Sequence, residues 1–187
     1  MARELDLQTL TLASGGHDPD SGQMCVMEAV AYMAGEPWSD MPQCASPVIA
    51  AFCRAWNDTD GPYGEAIRAR LRDYIPRLVN SRGTREQEDA RAWLATDWLI
   101  RVQAPAWMRL APALVPHAEV LAALPPQTSA AAVRASAAAW DAASAAAWDA
   151  ARRAAASAAL QPAVEELQAS AWTLLDKMLD VSSESEQ

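Results

Sequence analysis

The sequence predicts an all-α fold, a compact multi-helix bundle with a long alanine-rich helix towards the C-terminus. Three observations lead to this prediction. Apolar residues recur at helical spacing in successive segments, residues that cap helices stand at the segment ends, and prolines and glycines separate the segments. Alternation typical of a strand occurs only around residues 4–13, where it breaks midway, so a short N-terminal strand is the one exception that the pattern allows.

Four segments in the first half of the chain combine helical spacing with a start or stop signal. The predicted helices span residues 23–34, 47–56, 63–74 and 84–102. Gly35 ends the first helix in a left-handed conformation, and Ser46 caps the second. Pro76 interrupts the third helix or starts a short following turn, because proline has no N–H to donate. Thr84 and Gln87 form a capping box at the start of the fourth.

The second half of the chain is divided by prolines and then dominated by alanine. Residues 104–126 give short helical pieces, and residues 129–160 give a long helix in which one octad occurs twice, at 136–143 and 144–151. Residues 162–180 give a last amphipathic helix. The predicted organisation is a helical core domain (1–126), an alanine-rich helical hairpin (127–180) and a disordered tail (181–187).

The composition is that of a globular, acidic chain of 187 residues with a formal net charge of −9. Because nonspecific binding to nucleic acid needs a basic surface, we expect no direct contact with nucleic acid. No run approaches the roughly 18 apolar residues that span a bilayer. Three cysteines do not make a disulfide framework. We therefore expect a cytoplasmic protein with reduced thiols and no membrane contact.

One predicted helix and its flanking loops gather the residues suited to metal or thiol chemistry. Cys25 and Glu28 are three residues apart and share a helix face, His17 precedes them after two glycines, and Cys44 follows on a loop. Two thiolates, an imidazole and a carboxylate make a tetrahedral zinc set, although the spacing matches no standard zinc motif.

Three interpretations of this cluster stay open. In the first, the four residues hold a structural zinc ion. In the second, they are catalytic, with Cys25 as nucleophile and His17 as base, or with Glu28 acting on a metal-bound water. In the third, the cysteines are small buried apolar residues and His17 forms hydrogen bonds within its loop.

Three tryptophans are candidate partner-binding residues. Trp38 stands on a loop between two acids, where it either contacts a partner or anchors the loop to the core. Trp140 and Trp148 are eight residues apart, which places their rings side by side, rotated by roughly 80°, among small side chains. These two rings either bind a protein partner or a second copy, or pack against the last helix.

The motif Gly-Gly-His, Cys-Val-Met-Glu-Ala-Val-Ala-Tyr-Met-Ala-Gly-Glu-Pro-Trp-Ser-Asp and Pro-Gln-Cys is long and specific. It resembles an uncharacterised family of proteins from actinobacteria and their phages, over about residues 14–110. The alanine–tryptophan helix is similar to C-terminal repeats in such proteins. The resemblance implies an actinobacterial or phage source, and it implies no particular activity. A GC-rich genome agrees with the use of arginine, Lys177 being the single lysine.

Taken together, these patterns favour a cytoplasmic accessory or regulatory protein that acts through protein–protein contacts with a partner or with itself. If phage-encoded, it would act in the host cytoplasm. The chain has no glycine-rich phosphate loop, dinucleotide fingerprint or serine nucleophile elbow. The alternative is a small metal- or thiol-dependent enzyme that uses His17, Cys25, Glu28 and Cys44.

Overall fold

The computed structural model confirms the all-α fold over the residues that it describes, 3–151 and 160–181; at residues 62, 145–151, 160 and 161 it describes the main chain only. The α-helices are α1 (Val26–Ala34), α2 (Pro47–Asn57), α3 (Gly61–Leu78), α4 (Arg85–Trp98), α5 (Ala104–Met108), α6 (Val115–Ala122), α7 (Ala130–Ala151) and α8 (Leu160–Asp180). A π-helical segment, Leu99–Gln103, joins α4 to α5, and a 3₁₀ turn, Pro112–Leu114, precedes α6. None of the described helices is both long and apolar enough to cross a membrane.

The N-terminal segment, where the sequence allowed a strand, forms turns and loops, and no strand occurs within the described ranges. The carboxylate of Asp6 accepts hydrogen bonds from the N–H of Gln8 and the hydroxyl of Thr9, at 2.9 and 3.0 Å. The carbonyl of Asp6 accepts from the N–H of Leu10 at 3.1 Å. An aspartate that bonds to its following residues favours a turn over extended chain, which explains the break in the alternation.

Most predicted helix ends are confirmed. Gly35 closes α1 with a φ of 73°, and the hydroxyl of Ser46 caps α2 by accepting from the N–H of Ile49 at 3.3 Å. Thr84 and Gln87 form the reciprocal capping bonds expected before α4, at 2.7 and 3.4 Å. These signals are local, so the sequence alone identifies them.

The predicted interruption at Pro76 is wrong, because α3 continues through this residue to Leu78. Proline removes one intrahelical hydrogen bond, but only two helical residues follow it. Ile75 and Leu78, on either side, are fully buried. Their burial stabilises the last turn enough to offset the lost bond.

The chain divides into two compact units, here called the N-terminal unit (the described parts of Met1–Asp89 and Leu179–Gln187) and the C-terminal unit (Ala90–Met178). In the N-terminal unit, α1 contacts both α2 and α3. No residue of α1 between 26 and 31 is more than 2% exposed. A helix that is buried all round is the core of its unit, and its ends must therefore be satisfied by the protein rather than by water.

In the C-terminal unit, the alanine-rich helix α7 packs against α6 and the 3₁₀ turn. Ala143 of α7 is 1% exposed and belongs to one apolar cluster with Ile100, Met108, Leu114, Ala118 and Leu121. Residues on both sides of residue 126 belong to this unit. The domain boundary that the sequence predicts there stays a prediction. Of the predicted tail, only Val181 lies within the described residues.

The packing of α7 predicts unequal effects of one substitution at two neighbouring alanines. Ala143→Leu should lower the free energy of unfolding by about 1–3 kcal/mol, because the larger side chain overfills a closed cluster. Ala142→Leu, at an exposed position on the same helix, should change it by less than about 0.5 kcal/mol. Urea denaturation of both variants measures the difference; equal effects would contradict the packing.

Candidate functional site

The carboxylate of Glu28 lies buried on α1, with only 2% of the residue exposed. Its Oε1 accepts the N–H of His17 at 2.6 Å, and its Oε2 accepts the N–H of Cys25 at 2.7 Å. The Nδ1 atom of His17 lies 3.0 Å from the same Oε2. Because an ionised carboxylate only accepts, Nδ1 carries the proton in this contact. One side chain thus ties the glycine–histidine loop to the start of α1.

Cys25 is the N-cap of α1, and it forms a capping box with Glu28. Its Sγ accepts the N–H of Glu28 at 3.5 Å while Glu28 accepts the N–H of Cys25. Sulfur takes the position that serine or threonine usually holds in this motif. The helix therefore begins at Val26, three residues after the predicted start at residue 23.

Opposing effects act on the pKa of Glu28. Burial by itself raises the pKa of this carboxyl, but the hydrogen bonds from Cys25 and His17 outweigh burial and lower the pKa from its ordinary value of 4.5. The carboxylate is therefore held in its charged form by the N–H groups around it. This arrangement stabilises the loop.

Trp38 binds the other side of the same loop. Its indole N–H donates to the carbonyl of His17 at 2.6 Å, and the side chain is half-buried. This geometry favours the interpretation in which Trp38 anchors its loop to the core. Contact between Trp38 and a partner stays a prediction.

Cys44 belongs to a second loop closure rather than to the Glu28 network. The carboxylate of Glu36 accepts the N–H of Gln43 at 2.6 Å and the N–H of Cys44 at 2.8 Å. The carbonyl of Cys44 accepts from the N–H of Arg82 at 2.9 Å. The main chain of Cys44 closes this loop, and its thiol lies beside Glu36.

Asn57, at the end of α2, is a buried residue that sequence reasoning missed. Its Oδ1 accepts the N–H of Val26 at 3.3 Å, and its Nδ2 donates to the carbonyl of Ala13 at 2.9 Å. Asp58 next to it accepts the N–H of Gly15 at 2.7 Å. In the sequence, Asn57 and Asp58 form an asparagine–aspartate pair that is typical of a turn after a helix. Such a pair does not indicate these distant hydrogen-bond partners.

The geometry does not support the metal hypothesis for His17, Cys25, Glu28 and Cys44. Within the described ranges, no group of three or more His, Cys, Asp or Glu side chains is arranged to hold a metal ion. Both oxygens of Glu28 already accept hydrogen bonds.

Thiolate chemistry is also disfavoured. Burial raises the pKa of Cys25 to about 12, and burial does the same for Cys53. The pKa of the half-buried Cys44 is also raised, first by burial and then by the nearby Glu36. The nucleophilic form of cysteine is the thiolate, so these raised pKa values disfavour a nucleophilic role for the three thiols.

A second candidate site is an apolar groove in the C-terminal unit, here called the Leu99–Trp140 groove. It has a volume of about 420 Å³ and lies between residues 96–104 and residues 133–140 of α7. Leu99 is 45% exposed and Trp140 is 39% exposed. The side chain of Trp148 lies outside the described residues, so its predicted role stays a prediction.

The groove wall is the π-helical segment before Pro105. The N–H of Ala104 donates to the carbonyl of Leu99, five residues earlier, which defines the wide turn. Within this segment, Ile100 is 9% exposed and enters the core, whereas Leu99 faces outward. Wide turns of this kind frequently occur at functional sites.

Comparisons of the chain with family models, with curated proteins and with solved structures each find no match.

The Glu28 network predicts that Glu28→Gln destabilises the protein by about 2–4 kcal/mol at neutral pH. The amide keeps one acceptor oxygen, but its NH₂ group must then face an N–H donor. Glu119→Gln is the matched control, because Glu119 forms an exposed ion pair with Arg109, and such pairs contribute less than about 1 kcal/mol. Urea denaturation measures both.

A comparison of wild type with Glu28→Gln across pH tests the ionisation of Glu28. A carboxyl whose pKa is lowered by folding contributes stability that is present above its unfolded pKa and is lost as the pH falls through the folded pKa. The advantage of wild type over Glu28→Gln should therefore shrink as the pH falls below 4.5. A difference that is constant across that range would show that the charge of Glu28 contributes nothing.

The raised thiol pKa values predict slow and unequal cysteine modification. In the native protein, Cys44 should react first with a chromogenic disulfide at mildly alkaline pH, because Cys25 and Cys53 are buried.

Substitutions at Cys25 test its role as a helix cap. Cys25→Ser should keep the cap, whereas Cys25→Ala should lower the free energy of unfolding by about 1 kcal/mol. A fast-reacting thiol that disappears in Cys25→Ser would contradict the structural role and favour thiol catalysis.

Proposed function

We propose that this chain is an accessory binding protein that captures an apolar helix of a partner protein in the Leu99–Trp140 groove. The observation that carries the proposal is the combination of a preformed cavity of about 420 Å³ with a partly exposed Leu99 and Trp140 at its rim. Large apolar side chains beside a concave surface are typical of recognition sites.

The shape of the groove favours a helix as its occupant. Ala104 and Ala137 line it, and such small side chains let a second helix approach closely. Leu99 and Trp140 then supply the large apolar contacts, and tryptophan is enriched among residues that dominate binding energy. A helix with apolar residues at i, i+3, i+4 and i+7 matches a groove of this kind.

The charge of the chain suggests what flanks the apolar face of the partner. The side chains that line the groove are uncharged, whereas the chain as a whole has a formal net charge of −9. A partner helix with basic residues on its outer face would be attracted to such a protein and would associate faster at low salt. The resemblance to actinobacterial and phage proteins suggests the cytoplasm of an actinobacterium, or of a phage host, as the place of this binding.

The proposal is tested with helical peptides selected for binding to the wild-type chain. Trp140→Ala or Leu99→Ala should lower the affinity for the selected peptides about tenfold or more, as expected for the loss of a central apolar anchor. Trp107→Ala is the matched control: Trp107 is 43% exposed in the same unit and does not line the groove, so its loss should leave the affinity unchanged.

Two results would contradict the proposal. The first is a selection that yields only peptides insensitive to Trp140→Ala and Leu99→Ala. The second is a dimer, seen by light scattering, that dissociates in Trp140→Ala but not in Trp107→Ala, because the groove would then be occupied by a second copy of the chain.

A further inference from the structure

The N-terminal unit contains a second cleft, here called the Arg68–Arg72 cleft, which the proposed function does not use. It has a volume of about 350 Å³ and lies between the main chain of residues 10–14 and one face of α3. Glu65, Arg68, Ala69 and Arg72 line that face, at the spacing that places them together on a helix. Two guanidinium groups, one helical turn apart, therefore border one concavity.

Arg68 is held in place before any ligand arrives. Its Nη1 donates to the carbonyl of Asn57 at 2.8 Å and to the carbonyl of Thr59 at 3.1 Å. A Cβ at Gly64 would lie 1.8 Å from the carbonyl oxygen of Thr59, so glycine there permits this close approach. Both bonds use one terminal nitrogen, and a guanidinium carries five N–H donors. A fixed side chain loses little conformational entropy when it binds a ligand.

Arg72 has a buried donor without an acceptor. Its Nε is shielded from solvent and forms no hydrogen bond within the described structure, although Asp73 Oδ1 lies 3.5 Å away. Its Nη1 makes a long bond of 3.4 Å to the carbonyl of Leu10. A guanidinium carries five N–H donors, so the terminal nitrogens of Arg72 keep donors that a ligand in the cleft can engage.

The charges of the cleft select the ligand class. Two guanidinium groups match a dianion better than a monoanion, and their planar forks suit phosphate oxygens. The carboxylate of Glu65 would accept a hydrogen bond from a hydroxyl group of the ligand and would repel a second phosphate. The lining of the cleft thus holds two guanidinium groups and one carboxylate, in a chain whose net charge is −9.

We infer that the Arg68–Arg72 cleft binds a small phosphate monoester that carries hydroxyl groups, with Arg72 and Arg68 on the phosphate and Glu65 on a hydroxyl. The cavity volume of about 350 Å³ lies in the range of small-ligand sites. The two bonds of Arg68 to main-chain carbonyls fix its position and leave donors for the ligand.

The test is calorimetric titration of the full chain with glycerol 3-phosphate, with glycerol as the uncharged counterpart, at constant ionic strength. Wild type should bind the phosphate ester and not glycerol. Arg72→Gln should weaken binding about tenfold or more, because it removes a charged fork. Arg70→Gln removes the same charge from an exposed position of the same helix outside the cleft, and binding should persist.

A second pair of variants keeps the test valid if Arg72→Gln does not fold. Ala69→Glu places a carboxylate in the cleft, and Ala66→Glu places the same charge at an exposed position of α3 that does not line it. Ala69→Glu should abolish binding and Ala66→Glu should retain it. Absence of binding to wild type, or equal loss in both members of a pair, would overturn the inference.

Discussion

The N-terminal unit depends on one buried charge, the carboxylate of Glu28. Burying a carboxylate is costly, and here the cost is offset by hydrogen bonds from two main-chain N–H groups and from the imidazole of His17. Because α1 is buried all round, its first N–H groups cannot be satisfied by water. Glu28 satisfies the N–H of Cys25 from within the helix and, with its other oxygen, fixes the loop that covers it. Helix burial, loop closure and the ionised state of Glu28 therefore require one another.

The same device recurs along the chain, which explains how an acidic protein organises its loops. Glu36 accepts two successive main-chain N–H groups, at Gln43 and Cys44. In the N-terminal unit Glu88 accepts the N–H of Gly83 at 2.9 Å, and in the C-terminal unit Asp97 accepts the N–H of Gln127 at 2.7 Å. Each carboxylate replaces hydrogen bonds that a strand ladder or water would supply elsewhere. The acidic composition thus serves local structure as well as solubility.

The sequence predicts the features that depend on neighbouring residues, such as helix ends. It does not predict the hydrogen bonds and packing that depend on residues distant in the chain. The caps at Gly35 and Ser46 follow from residue type and neighbours, so the helix ends are predictable. The spacing of Cys25 and Glu28 brings the two together, as the N-cap and third residue of a capping box rather than as two residues of one helix face. The donors to Glu28 also include a main-chain N–H eleven residues earlier, which no side-chain pattern shows. At Cys44 the thiol attracts notice, whereas the structure uses the N–H. At Pro76, burial on both sides outweighs a helix-breaking residue, and only the folded packing reveals that balance.

One wall of the apolar groove is the wide helical turn that precedes Pro105. Pro105 has no N–H to donate to the carbonyl of Arg101, so the regular helical bond cannot form there. The N–H of Ala104 instead reaches back five residues to Leu99, and the turn widens. Within this segment Ile100 enters the core, whereas Leu99 is exposed beside Trp140. On α7, across the groove from Leu99, the small side chains of Ser136 and Ala137 leave the space open.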